Sequence, residues 1–225
     1  MSEKYKQAFK SSLQDREAFW AKAAEDVKWI KKYDQVLDSS NPPFYKWFKG
    51  GKINTCFNAL DRHVVEGNGD RVALIYDSAM LNVQKKYSYQ ELTKEVSILA
   101  GALQRQGITK GDRIIIYMPM IPEAIMAMLA CARIGAIHSV VFGGFASSEL
   151  ASRIDDSKAR LILSASCGLE PGRIVEYKPL LTEAIKLAKH KPEKTIVFQR
   201  EKHKAILDAN DIDWIDFIKG APSAP

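Results

Sequence analysis

Two short stretches of this chain carry residue types and spacings that could do chemistry. Val-Phe-Gly-Gly-Phe at 141–145 sets Gly143 and Gly144 at the carboxyl end of an apolar run, where missing side chains let backbone or a ligand come close. Gly-Leu-Glu-Pro-Gly-Arg at 168–173 follows a second apolar run. There Pro171 and Gly172 suit a fixed turn, and Arg173 offers a planar fork of donors matched to phosphate. Glu170 suits a basic partner or plain solvation. Each stretch has a bland counterpart, since a glycine pair is what a tight turn needs and a single arginine on a turn usually meets water. Position raises the functional odds at both, because ligands of open α/β sheets bind outside the carboxyl ends of the strands.

Other catalytic signatures do not arise. His63, His138, His190 and His203 form no local pair, and no GxSxG elbow, GxGxxG fingerprint or GxxxxGK[ST] phosphate loop occurs. Cys56, Cys131 and Cys167 are odd in number, far apart and without metal-ligand spacing. Reduced thiols in a reducing compartment fit them. Taken residue by residue, the chain reads as a binding sheet with no catalytic apparatus of its own and no metal site.

Composition narrows the partners. Among 225 residues, 33 basic and 27 acidic side chains give a formal charge of +6, with the two signs interleaved. The most basic window, Lys186 to Lys204, is interrupted by Glu193 and Glu201 and lacks the aromatic interleaving of a single-strand binder, so no nucleic acid is expected. The first residues hold no apolar core of signal-peptide type. No uncharged run reaches the roughly 18 residues of a bilayer span, so no membrane partner is expected. A cytoplasmic location follows, with the mitochondrial matrix as the alternative.

These residues need a scaffold, and periodicity supplies one. Up to about residue 66 the chain reads as helical and aromatic-rich. Asp15 can cap a helix carrying Phe19, Trp20, Ala23, Ala24 and Val27, and a second helix follows from Asn54 to Val65. Residues 71–78 and 84–89 read as a hairpin-like strand pair, and 89–105 as an amphipathic helix stopped by Gly107. Then strand 112–118, helix 121–136, strand 137–142, helix 147–157, strand 159–165, helix 178–190 and strand 194–199 alternate. Such alternation implies right-handed crossovers and a mainly parallel α/β sheet with helices on both faces. Helix 121–136 and strand 137–142 both read as buried, and the glycine and arginine tips as open to solvent. The closing Pro/Ser/Ala residues read as a linker or a cut, where another βα unit is expected.

Longer motifs add a resemblance. WFKGGKINTCFNALDRHV (47–64), YSYQEL (87–92), GDRIIIYMPMIPEAIMAMLACARIGAIHSVVFGGF (111–145) and LASRIDDSKARLILSAS (150–166) occur in this order. Together they resemble the N-terminal part of short-chain acyl-CoA synthetases, the acetyl- and propionyl-CoA synthetase group of adenylate-forming enzymes. The resemblance implies a helical N-terminal segment at 1–66 and the first α/β subdomain of an AMP-binding domain at 67–225. It implies Mg-ATP, CoA and a short carboxylate as substrates of a longer enzyme, reacting through an acyl-adenylate. The remainder of that enzyme chain is then the partner, and the isolated piece is inactive. A non-catalytic CoA- or nucleotide-binding module is the alternative. The family's CoA contacts map onto Glu170, Pro171, Gly172, Arg173, Gly143 and Gly144, with no catalytic residue in this region. Acetyl-CoA synthetases usually carry Arg where this chain has Glu170. EPGR followed by EYKPLLTEAIKLAKHKPEK is more similar to the propionate–CoA ligase branch. A carboxylate does not bind phosphate directly, which leaves Arg173 as the phosphate contact.

Overall fold

Helix α1 (Glu3–Gln14) starts where the Ser2 hydroxyl accepts from the Tyr5 amide, and α2 (Arg16–Ala23) where the Asp15 carboxylate accepts from Ala18. Both caps satisfy amides that a helix start leaves without partners. The computed structural model describes residues 2–225 and divides into two units, Met1–Asn54 and Thr55–Pro225. In the first unit, β1 (Gln35–Asp38) and β2 (Lys46–Lys49) form a short antiparallel pair. Trp29, Tyr33 and Phe48 pack their rings together beside it. Lys49 bonds Asp38 at 2.6 Å and holds that carboxyl well below the usual range.

The second unit begins with helical residues 55–68, which include two wide π-type stretches, Phe57–Asp61 and Val64–Asn68. Cys56 and Leu60 join the same core cluster as Val96, Leu99 and Leu103. These contacts group residues 55–68 with the second unit. Strands β3 (Val72–Ser78) and β4 (Val83–Ser88) form the expected antiparallel pair. A reciprocal Ser88–Glu91 cap then opens α3 (Tyr89–Arg105).

The remaining elements alternate: β5 (Arg113–Met118), α4 (Pro122–Ile134), β6 (Ile137–Phe142), α5 (Ser147–Ser157), β7 (Leu161–Ala165), β8 (Cys167–Glu170), β9 (Arg173–Glu176), α6 (Tyr177–Leu187), β10 (Lys194–Phe198), β11 (Asp211–Asp213) and α7 (Trp214–Ile218). Five strands form one parallel sheet in the order β11-β10-β7-β5-β6. Successive side chains of a strand point to opposite faces. Ile114 and Ile116 of β5 accordingly join α3 and α4 on one face, while Ile115 and Tyr117 meet Leu150, Ile154 and Leu181 of α5 and α6 on the other. From β5 the chain moves one way to β6, then crosses back past β5 to β7. The strand order therefore reverses between β5 and β7, and a crevice must open beyond their carboxyl ends.

Three expectations need correction. Strand 137–142 is an edge strand, with Ile137 and Val140 more than half exposed. A run of apolar residues marks a strand but not how many neighbours it has. Residues 168–173 are not a plain loop: they are the tip of an antiparallel hairpin, β8–β9. The tail does not trail away as a linker. Ala224 is buried, its amide donates to Ser97 O at 3.0 Å, and its carbonyl accepts from Ser97 Oγ and from Arg133. Arg133 also makes a two-pronged pair with Asp61 at 2.6 and 2.9 Å. One buried guanidinium thus ties residues 55–68, α4 and the tail.

Two predictions follow from this packing. Gly101 sits inside α3, where alanine normally helps by about 1 kcal/mol, yet a Cβ there would overlap the Pro222 carbonyl. Gly101→Ala should destabilise the chain by about 1–3 kcal/mol through overpacking, and removing residues 222–225 should reverse the sign. Urea unfolding of the four combinations checks this; a stabilising Gly101→Ala in the intact chain contradicts it. Arg160 holds Asp112 at 3.1 Å and Glu193 at 2.7 Å. Its hydrogen bond is the main cause of the lowered Glu193 carboxyl, ordinarily 4.5, whereas the Thr109 amide contributes most to lowering Asp112, ordinarily 3.8. Both are depressed in the folded state, so their stabilisation is present above those ordinary values and is lost as pH falls through the depressed ones. Arg160→Gln should flatten the acid limb of a stability–pH curve, and an unchanged limb contradicts the network's role.

Candidate functional site

Four strand ends converge on the crevice that the strand order requires. A cleft of about 280 Å³ is lined by Met120 and Ile121 after β5, Gly143 and Gly144 after β6, and Leu169 and Glu170 of β8. Arg200, just beyond β10, Tyr177, at the start of α6, and Tyr76, Asp77, Ser78 and Met80 of the β3–β4 hairpin also line it, with Asp77 accepting from Gln84. The two stretches singled out in the sequence thus meet at one place. Pro171, Gly172 and Arg173 stand at the hairpin tip beside it. Gly172 has φ +76°, a conformation that favours glycine.

The glycines have a packing reason as well as an open face. A Cβ on Gly143 would overlap the Tyr177 hydroxyl, and one on Gly168 would lie 2.8 Å from the same ring. Gly143 is buried beneath Tyr177 while Gly144 is exposed, so only the second glycine is as open as the sequence suggested. Tyr117 stacks on Tyr177 with centroids 4.9 Å apart. Its hydroxyl donates to the Phe145 carbonyl at 3.2 Å and reaches the Gly143 carbonyl at 3.5 Å. Burial pushes the Tyr177 phenol up to about 12, with the neighbouring Tyr117 adding to the shift, and burial raises Tyr117 as well. Both phenols therefore stay protonated and hold the Gly-Gly turn by hydrogen bonding and contact.

Arg173 is not a free cation. Its Nη2 lies 2.6 Å from Glu170 Oε2 and its Nε donates to the same oxygen at 2.7 Å. The arginine side chain is 70% exposed, and a pair so wet is worth only about 0–1 kcal/mol. A stronger anion could exchange with Glu170 at little cost. The histidines occupy structural or solvated positions: His63 stacks on Tyr89, His190 bonds the Ala159 carbonyl, and His203 lies 3.7 Å from Glu176.

Tyr117, Tyr177 and Arg200 escaped the sequence reading. Each sits at a strand end or helix start, and Arg200 is a charge directly after the apolar run of β10. That juxtaposition was the available signal, but nothing local says that these ends share a cleft.

The fold is a parallel α/β domain with a cleft where its strand order reverses, the place where open α/β sheets take ligands. The model of the AMP-binding enzyme family matches residues 61–221, that of the acetyl-coenzyme A synthetase N-terminus matches residues 5–59, and the chain belongs to the AMP-binding enzyme family. It is 48% identical to the mitochondrial acyl-CoA synthetase short-chain family member 3 of Rattus norvegicus over 97% of its length and 32% of that protein. It is 44% identical to the propionate–CoA ligase of Salmonella typhimurium over 93% of its length and 33% of that protein. Identity to the acetyl-coenzyme A synthetase of Streptomyces coelicolor is also 44%, over 95% of the chain and 33% of that protein. The chain therefore spans about a third of the length of these relatives, in their N-terminal part. The acetoacetyl-CoA synthetase structure from Streptomyces lividans shares the fold, with a TM-score of 0.84 at 22% identity over 95% of this chain and 32% of that one.

The seating of the glycines can be tested directly. Gly143→Ala should cost about 1–3 kcal/mol by overpacking, and much less when Tyr177→Ala removes the ring that the new methyl meets. A double-mutant cycle on chemical unfolding checks it. Strict additivity would mean the two residues do not press on each other.

Proposed function

We propose that this chain is the N-terminal, CoA-facing region of a short-chain acid–CoA ligase. In this reaction propionate or acetate and Mg-ATP give an acyl-adenylate and pyrophosphate, and the CoA thiol then displaces AMP. One observation carries the reading: Gly143, Gly144 and Glu170 line a single cleft beyond the β5 and β7 ends, with Arg173 at its rim.

The chemistry explains the division of labour. Carboxylate oxygen is a poor leaving group and AMP a good one, so adenylation needs cations and amides around phosphate oxygens whose charge is moving. This region supplies a coenzyme surface, and the remainder of the same enzyme chain supplies the adenylating groups and the acyl pocket. Exposed Gly144 lets a ligand approach the backbone. Arg173 exchanges Glu170 for a phosphate of CoA. Propionate is favoured over acetate by the EPGR form of the hairpin tip and the residues that follow it. Three free, buried cysteines fit a reducing compartment, cytoplasm or mitochondrial matrix. Among the described residues no helix is long and apolar enough to cross a membrane.

In the enzyme that carries this region, Arg173→Ala should raise KM for CoA by about fivefold or more, the loss of a charge-assisted contact. Carboxylate-dependent ATP–pyrophosphate exchange should be unchanged, because CoA takes no part in it. The 225-residue chain alone should show no exchange. Exchange by the isolated chain, or an unchanged KM for CoA in Arg173→Ala, contradicts the proposal.

A further inference from the structure

Arg200 is a buried cation that bonds a carbonyl and, among the described residues, forms no ion pair with the carboxylates that share its clefts. The residue is only 8% exposed. Its backbone amide donates to Ser166 Oγ at 2.8 Å, and its Nη1 donates to the Cys167 carbonyl at 3.1 Å. Among the described residues no carboxylate forms an ion pair with it. Glu123 feels its charge without bonding to it, and Glu170 is engaged by Arg173. Arg133 and Arg160 are different, for each is matched to carboxylates within the fold. A cation withdrawn from water without a counter-charge is costly, and such a residue at a cleft calls for an anion from outside.

Its position says where that anion would lie. Arg200 lines the 280 Å³ cleft together with Gly143, Gly144 and Gly168, and it also lines an adjoining cleft of about 370 Å³ with Lys85 and Lys202. The two spaces share Arg200, Tyr76 and Ile121, and in the second Glu123 and Glu201 stand with the two lysines, neither carboxylate in an ion pair with Arg200 among the described residues. With one donor taken by the Cys167 carbonyl, the planar fork keeps enough N–H groups for a two-pronged contact with an oxyanion.

We propose that Arg200 is a phosphate-binding residue, donating from the inner wall of the cleft to the non-bridging oxygens of a phosphorylated ligand. This rests on the assignment of the cleft to a phosphate-bearing coenzyme. It adds an inner contact to the outer one at Arg173. Such oxygens belong to both CoA and ATP, and separate titrations tell the two apart.

The test is calorimetric titration of the 225-residue chain with CoA, ATP and inorganic pyrophosphate, using wild type, Arg200→Gln, Arg200→Lys and Arg173→Ala, with Tm of each ligand-free chain. Saturable binding of at least one ligand by wild type is expected. Arg200→Gln should weaken it about tenfold or more, and Arg200→Lys, which keeps the charge and loses the fork, by an intermediate factor. Ligand-free Arg200→Gln should melt no lower than wild type, because removing a buried cation that has no ion pair among the described residues relieves the empty fold. No binding of any of the three by wild type overturns the inference, as does equal affinity in wild type and Arg200→Gln. A lowered Tm in ligand-free Arg200→Gln with unchanged affinity in Arg200→Lys also overturns it, marking the residue as a brace for the Cys167 carbonyl. The assignment of the cleft fails separately: loss of ATP or pyrophosphate binding in Arg200→Gln, with CoA unbound by wild type or unaffected in Arg173→Ala, removes CoA and keeps the anion site.

Discussion

The cleft depends on one steric fact: Tyr177 occupies the space that side chains at 143 and 168 would need. Its ring stacks on Tyr117 from the parallel sheet, and its own amide donates to Ser166 at the end of β7. Two strand ends that run separately through the sheet are thereby drawn against a single ring. The Gly-Gly turn after β6 cannot drift from the β8–β9 hairpin without uncovering Tyr177, which burial otherwise favours by about 1.5–3 kcal/mol for a large side chain. Topology requires a crevice at this end of the sheet; the tyrosine fixes its width and leaves Gly144 as the open floor.

Charge is arranged in two layers around that floor. At the rim, Arg173 and Glu170 neutralise each other in an exposed pair that a ligand can reopen. Further in, Arg200 has no such partner among the described residues. The surrounding framework is ordered by fully matched pairs instead: Arg133 with Asp61, Arg160 with Asp112 and Glu193, and Lys178 with Asp208 and Asp211. The contrast separates cations matched within the fold from those that the proposals assign to a ligand, a distinction that residue type alone does not make.

Much of the scaffold was legible in the sequence because each layer leaves a periodic trace. The apolar runs of β5, β7 and β10, alternating with helices, pointed to a parallel sheet covered on both faces, the amphipathic pattern marked α3, and longer motifs pointed to the family. What escaped was short or non-local. The β1–β2 and β8–β9 pairs have strands of four residues, too few for alternation to stand out. Strand β6 reads like a buried strand because apolar content does not count neighbours. The tail reads like a linker because Pro, Ser and Ala carry no pattern, yet Gly101 gives it a seat. In the site, the glycines and the turn were visible. Tyr177 and Arg200 were not, since their role arises only when four strand ends come together.

The measurement closest to the central claim is hydrogen–deuterium exchange of the 225-residue chain with and without CoA. Slowed exchange confined to the amides around Gly143–Phe145, the β8–β9 tip and the residues near Arg200 is the expected result. Protection elsewhere with none at these strand ends, or no protection under conditions where CoA binding is saturated, would contradict it.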